Sequence, residues 1–204
     1  MIYIAIHLFL GYCLFAPIMW PRRYGMKNIP RKGPCILVCN HRSNLDFLSV
    51  CYIIPRSPAF LVKKELMGIK PIAWVFRKAG LIDIDRGASD TAAIRKAENA
   101  LKQGKALAIF PEGTRSKLPN ERMGELQGGA TLIALRAKVP VIPLFIRGKY
   151  GLFSRPKIYA GAPVDLSQFH AQKRVTAEMV KEATALIRSA MYCGAGLEND
   201  AKAV

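Results

Sequence analysis

The heptapeptide NHRSNLD, Asn40 to Asp46, sets His41 and Asp46 five positions apart, directly behind the apolar run CILVC. Imidazole can take a proton near neutral pH, and a carboxylate held against its second nitrogen fixes the tautomer and stabilises the imidazolium. On one continuous helix, residues i and i+5 are about 140° apart and do not meet. Pairing therefore requires a helix that begins near Ser43, with His41 in the turn before it and Asp46 in its first turn, reaching back to the ring. The free ring nitrogen would then accept a proton from a hydroxyl. The same residues have a second reading, in which Ser43-x-x-Asp46 is a capping box with Asp in place of Glu. Both readings can hold at once.

A second block, FPEGTRS, brings charge into a turn behind another apolar run, with Pro111, Gly113 and Thr114 shaping it and Glu112 and Arg115 carrying charge. The planar fork of Arg115 is suited to a phosphate, helped by backbone N–H groups of the turn. A surface ion pair between Glu112 and Arg115 in an ordinary loop is the other reading. Further cations are Arg86, which follows GLIDID, and Lys63 and Lys64 in LVKKEL. The chain has no G-x-S-x-G elbow and no phosphate-binding P-loop, so a base that activates the substrate's own hydroxyl fits these residues best.

These residues need a scaffold that brings them together. CILVC reads as a buried strand, followed by a helix over 44–54, a strand at 59–63 and another in 80–85. SDTAAIRKAENALKQG reads as a helix opening on a Ser cap and closing on Gly104, with Ala93, Ile94, Ala97 and Leu101 on one face. A strand at 105–110, a helix at 128–138, a strand at 139–146 and a final helix over 175–191 complete the pattern. The prolines in VPVIP place that last strand's start or the sheet edge there. Alternation of this kind predicts an α/β domain, a mostly parallel sheet flanked by helices, with ligands at the carboxyl ends of the strands. The predicted organisation is an N-terminal anchor with a basic flank over 1–27, the globular domain over 28–193 and a flexible tail over 194–204.

The chain has 204 residues and a formal charge of +17, from 31 Lys and Arg against 14 Asp and Glu, which favours anionic partners. Its first twenty residues are almost wholly apolar and are followed by PRR. That charge order is the reverse of a cleavable signal peptide. Residues 1–20 are therefore expected to associate with membrane, either crossing it or dipping into it as a helix broken at Gly11 and Pro17. Arg22, Arg23, Lys27, Arg31 and Lys32 would hold an anionic leaflet and keep the body of the protein on the cytoplasmic face. The five cysteines, an odd number without a C-x-x-C pair, read as reduced thiols, with no metal site and no disulfide framework. Nucleic-acid binding, the alternative raised by the charge, lacks aromatic residues interleaved with the basic ones.

NHRSNLD is similar to the N-H-x4-D box of the glycerolipid acyltransferases, and FPEGTRS resembles their third block. GLIDIDR resembles their second and VPVIP their fourth, so four blocks stand in the family's order between Pro30 and Arg147. The resemblance implies a 1-acylglycerol-3-phosphate acyltransferase, which moves an acyl group from a CoA or carrier-protein thioester to the 2-hydroxyl of lysophosphatidic acid. Other acceptors, such as glycerol 3-phosphate, another lysophospholipid or a lyso-aminolipid, are the alternative. It also implies His41 as base and Asp46 as its partner, with Arg86, Glu112, Gly113, Thr114, Arg115 and Lys63 binding the acceptor, and no cofactor beyond the thioester co-substrate. The chain departs from the family at Asp83 in the second block and at Gln127, where a lysine is common.

Overall fold

A computed structural model describes residues 21–56, 58–63, 82–84, 91–119, 122–151, 154–172 and 174–197, with the backbone alone at 62, 63 and 82–84. Among the described residues seven strands form one sheet: β1 (Arg22–Tyr24), β2 (Cys35–Cys39), β3 (Pro58–Lys63), β4 (Ile82–Ile84), β5 (Ala106–Ile109), β6 (Val141–Arg147) and β7 (Lys157–Ala160). Their spatial order is β1-β7-β6-β2-β5-β3-β4. Every neighbouring pair is parallel except β6 with β7. Among the described residues four α-helices accompany the sheet: α1 (Asp46–Ile53), α2 (Thr91–Lys102), α3 (Gly129–Ala137) and α4 (Ala177–Gly194).

β2 has no polar residue because both of its faces are covered, the expected condition of a central parallel strand. Side chains alternate between the two faces of a strand. Cys35, Leu37 and Cys39 pack with Val50, Ile53 and Ile54 at α1, while Ile36 and Val38 join Leu101, Ile133, Ala134 and Ile187 from α2, α3 and α4. In α2 the apolar face is the one read from the sequence, with Ala93, Ala97 and Leu101 buried and Ala100 added. The helix ends where Gly104 takes φ +76° and Lys105 N–H donates to the Ala100 carbonyl.

Several expectations need correction. Arg22–Tyr24, assigned to the flank of the anchor, pair with β7 as an edge strand of the sheet, and neither β1 nor β7 was read as a strand. The packed domain also reaches past residue 193, because α4 runs to Gly194 and Ala195 is buried. Pro143 lies inside β6, an interior strand, instead of at its start. Its carbonyl accepts from Gly161 N–H just beyond the first β6–β7 pair, Leu144 with Ala160. Its nitrogen faces that same side, away from β2, so the missing N–H is not taken from the β2–β6 ladder. Residues 1–20, the expected membrane segment, lie outside the described residues; among the described ones no helix is long and apolar enough to cross a membrane.

The register fixes where loops emerge. β2 and β5 pair in parallel from Cys35 with Ala106 to Val38 with Ile109, so both deliver their following loops to one edge of the sheet. β3 runs parallel to β5 as far as Phe60 with Ala108, and Lys63 follows three residues later, at the same edge.

Candidate active site

His41 is the second residue after β2, and α1 starts only at Asp46. The ring is thus outside the helix, and its Nδ1 lies 3.0 Å from Asp46 Oδ2. The same Oδ2 accepts the Arg42 N–H at 2.6 Å and the Ser43 N–H at 2.7 Å. Asp46 therefore reaches back as the acidic half of a capping box does. The Ser43 half is absent: its hydroxyl accepts from Leu45 N–H at 3.2 Å, and the helix has no side-chain cap. The helix accordingly begins at Asp46, two residues later than the expected span of 44–54. Since a carboxylate only accepts, the His41 hydrogen sits on Nδ1 in this arrangement, which leaves Nε2 with a lone pair. The Asp46 side chain is 1% exposed and that of His41 21% exposed, so the carboxylate is sealed while the ring reaches solvent.

Asn40 anchors the strand end. It is fully buried, and its side chain donates to the Ile146 carbonyl at 2.9 Å and accepts the Ile146 N–H at 2.6 Å. This bidentate contact makes the end of β2 continuous with β6, immediately before the chain turns out to place His41. Sequence reading quoted Asn40 and gave it no role, although a polar residue closing an apolar strand was the available signal.

The FPEGTRS loop forms the second wall. Phe110 stacks on the His41 ring with centroids 4.4 Å apart, and Phe60 stands behind Phe110 at 6.4 Å. Glu112 is buried, with Oε1 accepting the His41 N–H at 2.7 Å and Oε2 accepting the Gly124 N–H at 2.6 Å. Burial pushes its carboxyl up, and the two backbone donors oppose that shift. This corrects the reading of Glu112 as half of a surface ion pair with Arg115. Glu112 ties the loop after β5 to the loop after β2, an arrangement completed by Ser116 N–H donating to the His41 carbonyl at 2.7 Å.

Gly113 has φ +68°, and a Cβ there would come within 2.8 Å of the Gln127 side-chain amide. Gln127, standing where the family often has lysine, thus lies against the turn, and its backbone N–H donates to the Pro111 carbonyl at 2.9 Å. The segment bearing Gly124 is held by α4: Arg188 donates to the carbonyls of Gly124 at 2.7 Å and Met123 at 3.3 Å, and Met123 N–H donates to the Tyr192 hydroxyl at 2.9 Å. Thr114 and Arg115 are exposed beside this frame. Lys63 ends β3 at the same edge, placed by its backbone, and Arg86 lies outside the described residues. Among the described residues no group of three or more His, Cys, Asp or Glu side chains is arranged to hold a metal ion.

A base paired with a carboxylate, next to a glycine turn at the carboxyl edge of a parallel sheet, can be compared with known proteins. The family profile described as acyltransferase matches residues 21–147, which include β2, the His41–Asp46 pair, the FPEGTRS loop and β6. The chain belongs to the acyltransferase family. Among curated members it is 34% identical over 149 residues to a probable 1-acyl-sn-glycerol-3-phosphate acyltransferase of Mycoplasma pneumoniae, covering 68% of this chain and 53% of that one. It is 32% identical over 141 residues to the 1-acyl-sn-glycerol-3-phosphate acyltransferase of Saccharomyces cerevisiae, covering 64% of this chain and 46% of that one. The chain thus spans about half the length of these two relatives. Among solved structures, the crystal structure of a 1-acyl-sn-glycerophosphate (LPA) acyltransferase from Thermotoga maritima superposes with a TM-score of 0.75 at 24% identity, covering 97% of this chain and 80% of that one. That likeness gives this acyltransferase the same α/β fold.

Proposed function

We propose that this acyltransferase moves an acyl group from a thioester to the 2-hydroxyl of lysophosphatidic acid, giving phosphatidic acid. The observation that carries the reading is the His41–Asp46 contact of 3.0 Å at the sheet edge, with the ring exposed and the carboxylate buried. His41 Nε2 takes the proton of the 2-hydroxyl as its oxygen attacks the thioester carbonyl. The new C–O bond forms, the C–S bond breaks, and the thiolate leaves with the proton that His41 returns. Asp46 stabilises the imidazolium between those events, and no covalent acyl-enzyme is required. General base assistance of this kind contributes about a hundred- to ten-thousand-fold in rate. The remainder comes from holding both substrates together.

Arg115 and Thr114, exposed on the FPEGTRS turn, together with Lys63 and Arg86, are proposed to bind the acceptor's phosphate and glycerol, with Gly113 giving the turn its shape. The donor is an acyl thioester of CoA or of an acyl carrier protein, both anionic and suited to a chain of net charge +17. Residues 1–20 would hold the enzyme at the membrane where the lysolipid resides, with the catalytic domain facing the cytoplasm and the basic residues after the segment on an anionic leaflet.

The test is turnover by the full-length protein in mixed micelles, with acyl-CoA and acyl carrier protein donors in parallel. Lysophosphatidic acid, lysophosphatidylcholine, glycerol 3-phosphate and monoacylglycerol serve as acceptors. The expected result is fastest acylation of lysophosphatidic acid. Equal or faster acylation of phosphate-free monoacylglycerol would overturn the acceptor assignment.

A further inference from the structure

Tyr150 belongs to none of the four blocks and lies 104 residues from Asp46 in sequence, in the loop that follows β6. Gly148 at φ +92° turns that loop, and the Tyr150 ring packs against the core cluster that contains Val50, Ile53 and Ile54. Its hydroxyl donates to Asp46 Oδ1 at 2.8 Å, the oxygen that His41 does not use. Ser49, one turn further along α1 and fully buried, places its hydroxyl 2.9 Å from the same phenol oxygen. The proton directions follow from elementary inventory. An ionised carboxylate cannot donate, so the phenol proton goes to Asp46, and the Ser49 proton must therefore go to Tyr150. A directed chain results, from Ser49 to Tyr150 to Asp46, with His41 donating to Asp46 from the other side. Burial, and then the charge of Asp46, push the phenol up, so it keeps the proton it donates.

We propose that Tyr150 is a positioning residue for the base: by engaging Oδ1 it holds the Asp46 carboxylate with Oδ2 against His41 Nδ1, and it takes up part of the carboxylate's charge. The inference rests on the reading of His41 as the base. Hydrogen bonds that share one buried carboxylate act together, and removing one strengthens the pull of the carboxylate on the partners that remain. The other titratable and charged groups facing this pair among the described residues are Glu112 at the His41 N–H, Cys39 beside Asp46, Arg188 behind Glu112, and Arg42 next in the chain. All stay in place when only the phenol oxygen is removed.

The experiment compares wild type, Tyr150→Phe, Ser49→Ala and His41→Ala in full-length protein, measuring kcat and KM for lysophosphatidic acid from pH 5 to pH 9. Loss of one hydrogen bond to a charged group predicts a kcat about tenfold lower for Tyr150→Phe, with KM unchanged. The acid limb of its kcat profile moves to higher pH, because a less neutralised Asp46 holds the imidazolium proton more tightly. Ser49→Ala, which keeps the phenol and removes only its donor, shifts the same limb by less, and it carries the test should Tyr150→Phe not fold. A lower kcat with an unmoved acid limb would overturn the inference, as would a rise in KM alone or wild-type behaviour. If His41→Ala keeps wild-type turnover, the base reading itself falls. If His41→Ala is inactive and both other variants behave as wild type, only the role of Tyr150 falls.

Discussion

Replacing Glu112 with glutamine separates a residue that holds the site together from one that binds substrate. In the wild type its two carboxylate oxygens accept two backbone donors, His41 N–H at 2.7 Å and Gly124 N–H at 2.6 Å. A carboxamide has the same shape but one acceptor oxygen, so one N–H must face an NH2 group. The oxygen cannot serve both loops, and the side chain is too buried for bulk water to substitute. The loss is one hydrogen bond to a charged group together with an unsatisfied donor, about 2 kcal/mol. For a chain of this size, 1 kcal/mol moves Tm by roughly 2–4 °C, so a fall of about 4–8 °C is expected. Gly124 is also held through Arg188, whereas the His41 backbone relies on Glu112 and Ser116, so the functional effect appears at His41. Thermal unfolding in detergent and steady-state acyl transfer should show a lower Tm and a lower kcat, with KM for the acceptor nearly unchanged. A several-fold rise in KM at unchanged Tm would refute the reasoning and return Glu112 to the acceptor-binding residues.

The same residue gives a pH signature. Burial raises the folded-state carboxyl above its unfolded value, so the folded state binds this proton more tightly. Its contribution to stability is then present below the ordinary glutamate range and lost as pH rises through the raised value; urea midpoints measured from pH 4 to pH 8 should show that decline in wild type and not in Glu112→Gln. Asn40→Ala removes both partners of the Ile146 peptide, and an expected loss of about 2–4 kcal/mol can be read from the denaturant midpoint, with activity falling in parallel. Arg115→Gln, at an exposed position, should leave Tm unchanged and raise KM for lysophosphatidic acid about tenfold, with little effect on a phosphate-free acceptor.

Much of the fold was legible because it is carried by local pattern. The uniform apolar run at Cys35–Cys39 is what a strand covered on both faces requires, and the helical spacing of Ala93, Ala97 and Leu101 ends at a glycine able to adopt positive φ. The i, i+5 spacing of His41 and Asp46 was also informative, because it excluded a continuous helix and demanded the turn that is observed. β1 and β7 were not legible, since RRY is polar and exposed and KIYA is only four residues long, and both are strands by pairing with each other and with β6. The helix start was misplaced because Ser43 matches a cap by type, while the groups that determine the turn are the backbone N–H donors to Asp46. Glu112 was misread for a related reason. A carboxylate among glycine, threonine and arginine looks like a surface group until the Gly124 segment, held by α4, closes over it. Tyr150 and Ile146 act across 104 and 106 residues, and no local spacing encodes contacts of that range.

The central claim is that His41 is the base for direct acyl transfer. Its most direct test is the rate of phosphatidic acid formation by purified His41→Ala, from an acyl thioester and lysophosphatidic acid in mixed micelles, beside wild type. Because this ring stands at the mouth of the site, 21% exposed, its removal should leave folding and membrane binding intact. The expected result is a loss of at least about a hundredfold in kcat. A folded, membrane-bound His41→Ala protein that forms phosphatidic acid at the wild-type rate would contradict the account.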